Sequence, residues 1–102
     1  MLADILRHHR EWRVFRAALR SLSAIDPQVH AARLVQRERQ IAMFLSLVGA
    51  RGRPPPSRAW ILACLLNFEV LCDAIADGDV KVLGLEEADV LAILDDHLQR
   101  IL

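Results

Sequence analysis

A chain of 102 residues holds one domain, and a domain of this size buries roughly 65% of the surface its unfolded chain exposes, enough for a core without disulfides. Hydrophobic residues make up 54% of it and aromatics 5%, with Leu and Ala prominent and Tyr absent, a composition that favours helix over strand. The formal net charge is zero, but residues 1–58 carry eleven Arg against Asp4, Glu11, Asp26 and Glu38, whereas residues 59–102 carry Lys81 and Arg100 against nine acids, a split of +7 and −7.

The first predicted helix runs from about Leu2 to Leu22. Ile5, His8, Trp12, Phe15, Leu19 and Leu22 recur at alternating spacings of three and four, one narrow seam suited to pairing with another helix. The arginines fall mostly off that seam, where their stems cover apolar surface and their heads stay wet. The segment Ser21–Asp26 breaks the pattern. A second helix starts with Asp26 as N-cap and Pro27 at the first helical position, where no N–H is needed, and continues to about Val48. Its seam is Ala31, Leu34, Glu38, Ile41, Leu45 and Val48, with Gly49 as the expected stop. Glu38 is the polar exception, expected to pair with an Arg of the first helix or to receive a partner's cation.

The linker Gly49–Ser57 contains three consecutive prolines and divides the chain where the charge changes sign. The third helix, Arg58–Ala76, is capped by Ser57 and closed at Asp77-Gly78. It is apolar on nearly every side, with Asn67, Glu69 and Asp73 as interruptions, so it must be covered on several faces. Its longest unbroken apolar run, Ala59–Leu66, falls short of the roughly 20 residues a membrane span needs. Residues Asp79–Leu85 read as a loop with an extended pair around Lys81–Leu83. A fourth helix follows from about Glu86 to Ile101, with acids in its first turn and an apolar face of Val90, Leu91, Leu94, Leu98 and Ile101. The expected architecture is all-α: a four-helix bundle of two antiparallel hairpins, basic (1–48) and acidic (58–102), joined by the Pro-rich linker (49–57), in a single domain.

No pattern in the chain carries catalysis or a cofactor. Asp4, His8 and Glu11 share a helix face, but a di-iron site needs Glu-x-x-His motifs on two helices. Asp95, Asp96 and His97 are consecutive and diverge by about 100° each. An EF-hand loop started at Asp73 places Ile75 and Gly84 where oxygen ligands belong. Cys64 and Cys72 lie about 12 Å apart along one helix, beyond disulfide reach, with apolar or acidic neighbours that disfavour thiolate. Free thiols and an N-terminus without an apolar run behind a basic start suggest the cytoplasm. No metal or cofactor is expected.

Two function classes remain. The leading expectation is a non-enzymatic regulatory or adaptor protein that binds another protein, or a second copy of itself as a homodimer, through the first two helices. Trp and Arg are frequent at binding hot spots, and the candidate residues are Trp12, Phe15, Arg16, Leu19, Arg33, Arg37 and Glu38. The alternative is a nucleic-acid-binding regulator, since His30, Arg33, Arg37 and Gln40 form one line that Arg51, Arg53 and Arg58 extend. The acidic half argues against that alternative, because its charges can equally be the partners of the basic half.

Overall fold

The computed structural model describes residues 2–101, without the side chain of Ile101. Among the described residues the fold is all-α, with six helices and no strand: α1 Leu2–Glu11, α2 Arg13–Ile25, α3 Pro27–Ala50, α4 Arg58–Ala76, α5 Asp79–Val82 and α6 Glu87–Ile101.

The predicted first helix is two helices. Trp12 leaves helical geometry (φ −104°, ψ 17°), yet Trp12 N–H donates to His8 C=O at 3.0 Å and Arg16 N–H to Trp12 C=O at 2.8 Å. The ladder therefore continues through a bend, which lets α1 lie against α4 while α2 lies against α3. The segment read as a break is helical to Ile25, and one residue, Asp26, separates α2 from α3. Its extended backbone makes the corner, and its carboxylate accepts from Gln28 N–H (2.9 Å) and Val29 N–H (3.4 Å), as an N-cap should.

α3 passes through Gly49, and the closing residue is Gly52. Its φ of +69° is the left-handed conformation that costs glycine little. Gly52 N–H donates to Gly49 C=O, and Arg53 N–H reaches back to Val48 C=O, so the last carbonyls are satisfied. The same device corrects the reading of residues 79–85. These form the single turn α5 rather than an extended pair, closed by Gly84 at φ +74° with Leu85 N–H on Val80 C=O, and the turn drives Val80 into the core. α4 has the bounds read from sequence, with Ser57 Oγ accepting from Trp60 N–H at 3.1 Å.

The core is aliphatic. Leu6 of α1, Cys72 and Ile75 of α4, Val80 and Leu94 are buried together, with Leu2, Ile5, Phe68, Leu71, Val90 and Leu91 packed around them. Ile41 and Val48 of α3, Ile61 and Leu98 are buried as well. Leu94 and Leu98 thus form the inner edge of the expected α6 face, whose last member, Ile101, lies outside the described side chains. α1, α3 and α5 pack on α4, but among the described residues none covers the part of its surface where Trp60, Leu66 and Val70 are exposed. Among the described residues α4 is the one helix long and apolar enough to cross a membrane by length and composition, and 17% of that stretch is buried.

Candidate functional site

The three acids Glu69, Asp73 and Asp77 recur every fourth residue, which places them in one row along α4. That row faces the basic half of the chain. Arg16 donates through Nε to Asp73 (3.0 Å) and through Nη2 to Glu69 (2.8 Å), bridging the two carboxylates. Arg20 donates to Asp73 at 2.8 Å, and Arg37 to both Glu69 and Gln40. Arg33 lies 4.0 Å from Glu69, and Arg13 lies 3.9 Å from Asp77. His9, buried, places Nδ1 2.6 Å from Asp73. An ionised carboxylate only accepts, so Nδ1 carries the proton in this pair. Further out, Arg10 of α1 reaches Glu87 of α6 at 3.1 Å.

Six arginines of the basic half thus meet four of the nine acids of the other half inside one chain. Burial alone would raise the carboxyls of Glu69 and Asp73. The bonds from Arg37 and Arg16 to Glu69, and from Arg16 and His9 to Asp73, outweigh it and hold both below their ordinary values of 4.5 and 3.8. Burial likewise opposes charge on Arg16, and its bond to Asp73 with the charges of Asp73 and Glu69 raises it nonetheless.

A stability profile follows from these directions. As pH falls, the unfolded chain protonates the two carboxyls near their ordinary values, while the folded chain resists to lower pH. Across that interval the unfolded state holds more protons, so stability falls with pH. The contribution is complete at neutral pH. The melting temperature should therefore be nearly flat from about pH 7 to 6 and drop from about pH 5 to 3. Thermal melts of Glu69→Gln/Asp73→Asn should show a shallower acid slope; an unchanged slope would locate the acid sensitivity elsewhere.

Between α2, α3 and α4 the network borders a small cavity of about 60 Å³, lined by Arg16, Leu19, Arg20, Arg33, Gln36, Arg37, Gln40 and Glu69. Four of the seven residues singled out from sequence, Arg16, Leu19, Arg33 and Arg37, meet there. Glu38 lies on another side of α3 and, exposed, accepts from Arg58 at the start of α4 (2.6 and 2.7 Å) rather than from an Arg of the first helix. Trp12 and Phe15 are at the surface, 48% and 57% exposed, with ring centroids 5.7 Å apart in an edge-to-face pair. The His8 ring centroid lies 6.1 Å from that of Trp12. Leu22, Val14 and Ile25 extend the exposed apolar surface of α2, which buries no residue completely.

In the sequence Glu69 and Asp73 read as interruptions of an apolar helix, and His9 only as a neighbour of Asp4, His8 and Glu11 in a weak metal-ligand cluster. The available signal was the four-residue repeat of Glu69, Asp73 and Asp77 set against Arg13, Arg16 and Arg20 in the opposite half. Among the described residues no group of His, Cys, Asp and Glu is arranged to hold a metal, and Asp4 pairs with Arg7 at 2.9 Å. Burial, with Asp73 next to it, pushes the Cys72 thiol up to about 11; burial also raises Cys64. Neither sulfur is therefore a ready nucleophile at neutral pH. No protein-family model matches the chain, and neither a curated protein nor a solved structure matches it.

Proposed function

We propose that this chain is a non-enzymatic helical interaction module, a small regulatory or adaptor protein of the cytoplasm that binds another protein through the outer face of α2. In this reading the basic and acidic hairpins form a four-helix bundle, and the arginine–carboxylate network fixes how they sit on one another. The observation that carries the reading is the Trp12–Phe15 pair. Two large aromatics lie edge to face on the surface of a chain with few aromatics, while the core beneath is built mainly from aliphatic residues. Aromatic anchors beside arginine are what protein interfaces use at their energetic centres.

Affinity capture of the tagged chain from extract of its source, with and without nuclease, is the test. Trp12→Ala/Phe15→Ala should lose a nuclease-resistant protein partner, each truncation weakening binding by about 30-fold or more, a hot-spot loss of about 2 kcal/mol. Helicity should be unchanged. Retained capture, or a double variant that no longer folds, would overturn the assignment of this face. Recovery of nucleic acid in place of protein, with affinity falling steeply as salt rises, would make Arg33 and Arg37 the site instead.

A further inference from the structure

From Arg10 to Gln40 no residue is fully buried, although this stretch holds all of α2 and more than half of α3. The half-buried positions of α3 before Ile41 are Val29, Arg33, Arg37 and Gln40, spaced four, four and three, and those of α2 are Arg16, Leu19 and Ser23. These are the inward stripes of the two helices, and arginine and glutamine occupy places where a bundle usually carries leucine. The apolar Leu34 and Val35 of α3 are outside, each more than half exposed. The two inward stripes meet Glu69 of α4 at the cavity of about 60 Å³.

Four guanidinium groups line that cavity, those of Arg16, Arg20, Arg33 and Arg37, and two carboxylates answer them. Arg16, Arg33 and Arg37 converge on Glu69 within 4.0 Å, and Arg16 and Arg20 share Asp73. The neighbouring acids have cations of their own, Asp77 facing Arg13 and Glu87 facing Arg10. Arginine stays charged at every ordinary pH, so a surplus of two positive charges remains beside the cavity before His9, which also bonds Asp73, is counted. The guanidinium forks are only partly used. Arg20 and Arg37 donate from Nη1 alone, and Arg33 donates no hydrogen bond to a described residue. Gln40 accepts from Arg37 through Oε1, which leaves its amide N–H groups as donors.

We infer that this cavity binds a doubly charged tetrahedral oxyanion, inorganic phosphate or the terminal phosphate of a phosphomonoester, held by Arg20, Arg33 and Arg37 with Gln40 as a neutral donor. The charge matches, since a phosphomonoester carries close to two negative charges above pH 7, whereas a nucleic-acid phosphodiester carries one. The size matches as well. One water needs roughly 10–15 Å³ of such space, so the cavity of about 60 Å³ takes the four oxygens of a tetrahedral anion, while drug-sized ligands fill about 300–1,000 Å³. A guanidinium fork suits such oxygens because two parallel N–H groups meet two of them. The four arginine side chains are 18% to 41% exposed, so an anion among them is partly out of water and its attraction is less screened. Neither Trp12 nor Phe15 lines the cavity, so this site stands or falls apart from the outer face of α2.

Thermal melts of the full chain at pH 8 compare sodium phosphate with sodium chloride at equal ionic strength. Phosphate at ten times its dissociation constant should raise the melting temperature by about 6 °C or more, with sulfate acting similarly and chloride not. Calorimetric titration should give one phosphate per chain. Arg33→Gln, which gives up no hydrogen bond to a described residue, should weaken phosphate binding by about 10-fold or more without lowering the melting temperature in chloride. Gln36→Glu places a carboxylate on the cavity wall and should have opposed effects, a lost phosphate response and a higher melting temperature in chloride. Arg39→Gln removes the same charge from the exposed side of α3 and should bind phosphate as the wild type does, as should Trp12→Ala/Phe15→Ala. Glycerol phosphate, a monoester, is titrated beside inorganic phosphate; the tighter of the two names the source, and either order supports the site. Equal melts in phosphate and chloride, an unchanged phosphate response in Arg33→Gln or Gln36→Glu, an equal loss in Arg39→Gln, or displacement of phosphate by a single-stranded oligonucleotide without a terminal phosphate would each overturn the inference.

Discussion

Removing the two carboxylates at the centre of the network, Glu69→Ala/Asp73→Ala, is expected to cost about 4 kcal/mol, a large fraction of the stability of a domain this size. The two acids hold Arg16, Arg20, Arg37 and His9, and their loss leaves partly buried cations facing one another without a counter-charge. The control is Asp95→Ala/Asp96→Ala, which removes the same formal charge from the exposed face of α6 and should change stability by no more than about 0.5 kcal/mol. Urea titrations followed by circular dichroism compare the two. Equal losses would mean that the network adds nothing beyond bulk charge. Glu69→Gln refines the result, because it keeps the shape of the side chain and an acceptor while removing the charge.

The network matters for more than its energy. Because α4 is apolar almost all round, hydrophobic burial alone does not select which face it turns toward α1–α3. The row Glu69–Asp73–Asp77 makes that choice, since any other rotation would leave these acids and the facing arginines without partners. The expected signature in the double variant is therefore loss of near-ultraviolet dichroism before loss of far-ultraviolet helicity, as the helices persist but no longer dock in one register.

This division also explains what the sequence could disclose. The start of α3 at Asp26-Pro27 and both ends of α4 were legible, because a cap is a local arrangement of a few adjacent residues. The bend at Trp12 was not, since the seam on either side of it is continuous and the cause is tertiary: α1 and α2 lie on different neighbours. With Gly49 and Gly52 both available, composition could not say which would adopt positive φ. Residues 79–85 were too short to show a period. For the site, the opposed charges of the two halves were plain, and their pairing was one of the readings they allowed. Which arginine meets which acid depends on how the helices cross, and that is not written in residue order. The spacing of Trp12 and Phe15 was equally compatible with a core seam and a binding seam; only packing separates the two.

That separation gives the second large effect. Ile75→Ala should destabilise the chain by about 3 kcal/mol, within the usual range for truncating a buried aliphatic residue, since Ile75 is 2% exposed among Leu6, Cys72, Val80 and Leu94. Trp12→Ala removes far more atoms and should cost less than about 1 kcal/mol, because much of its ring is already in water and its contacts with His8 and Phe15 are themselves superficial. Partner binding should show the reverse order, with Trp12→Ala damaging and any Ile75→Ala defect reduced to the fraction that unfolds. Denaturation and binding measured on the same two proteins make the crossing visible. If Trp12→Ala were the more destabilising, α2 would be a structural seam closed against the core, and the binding face would have to be sought elsewhere on the surface.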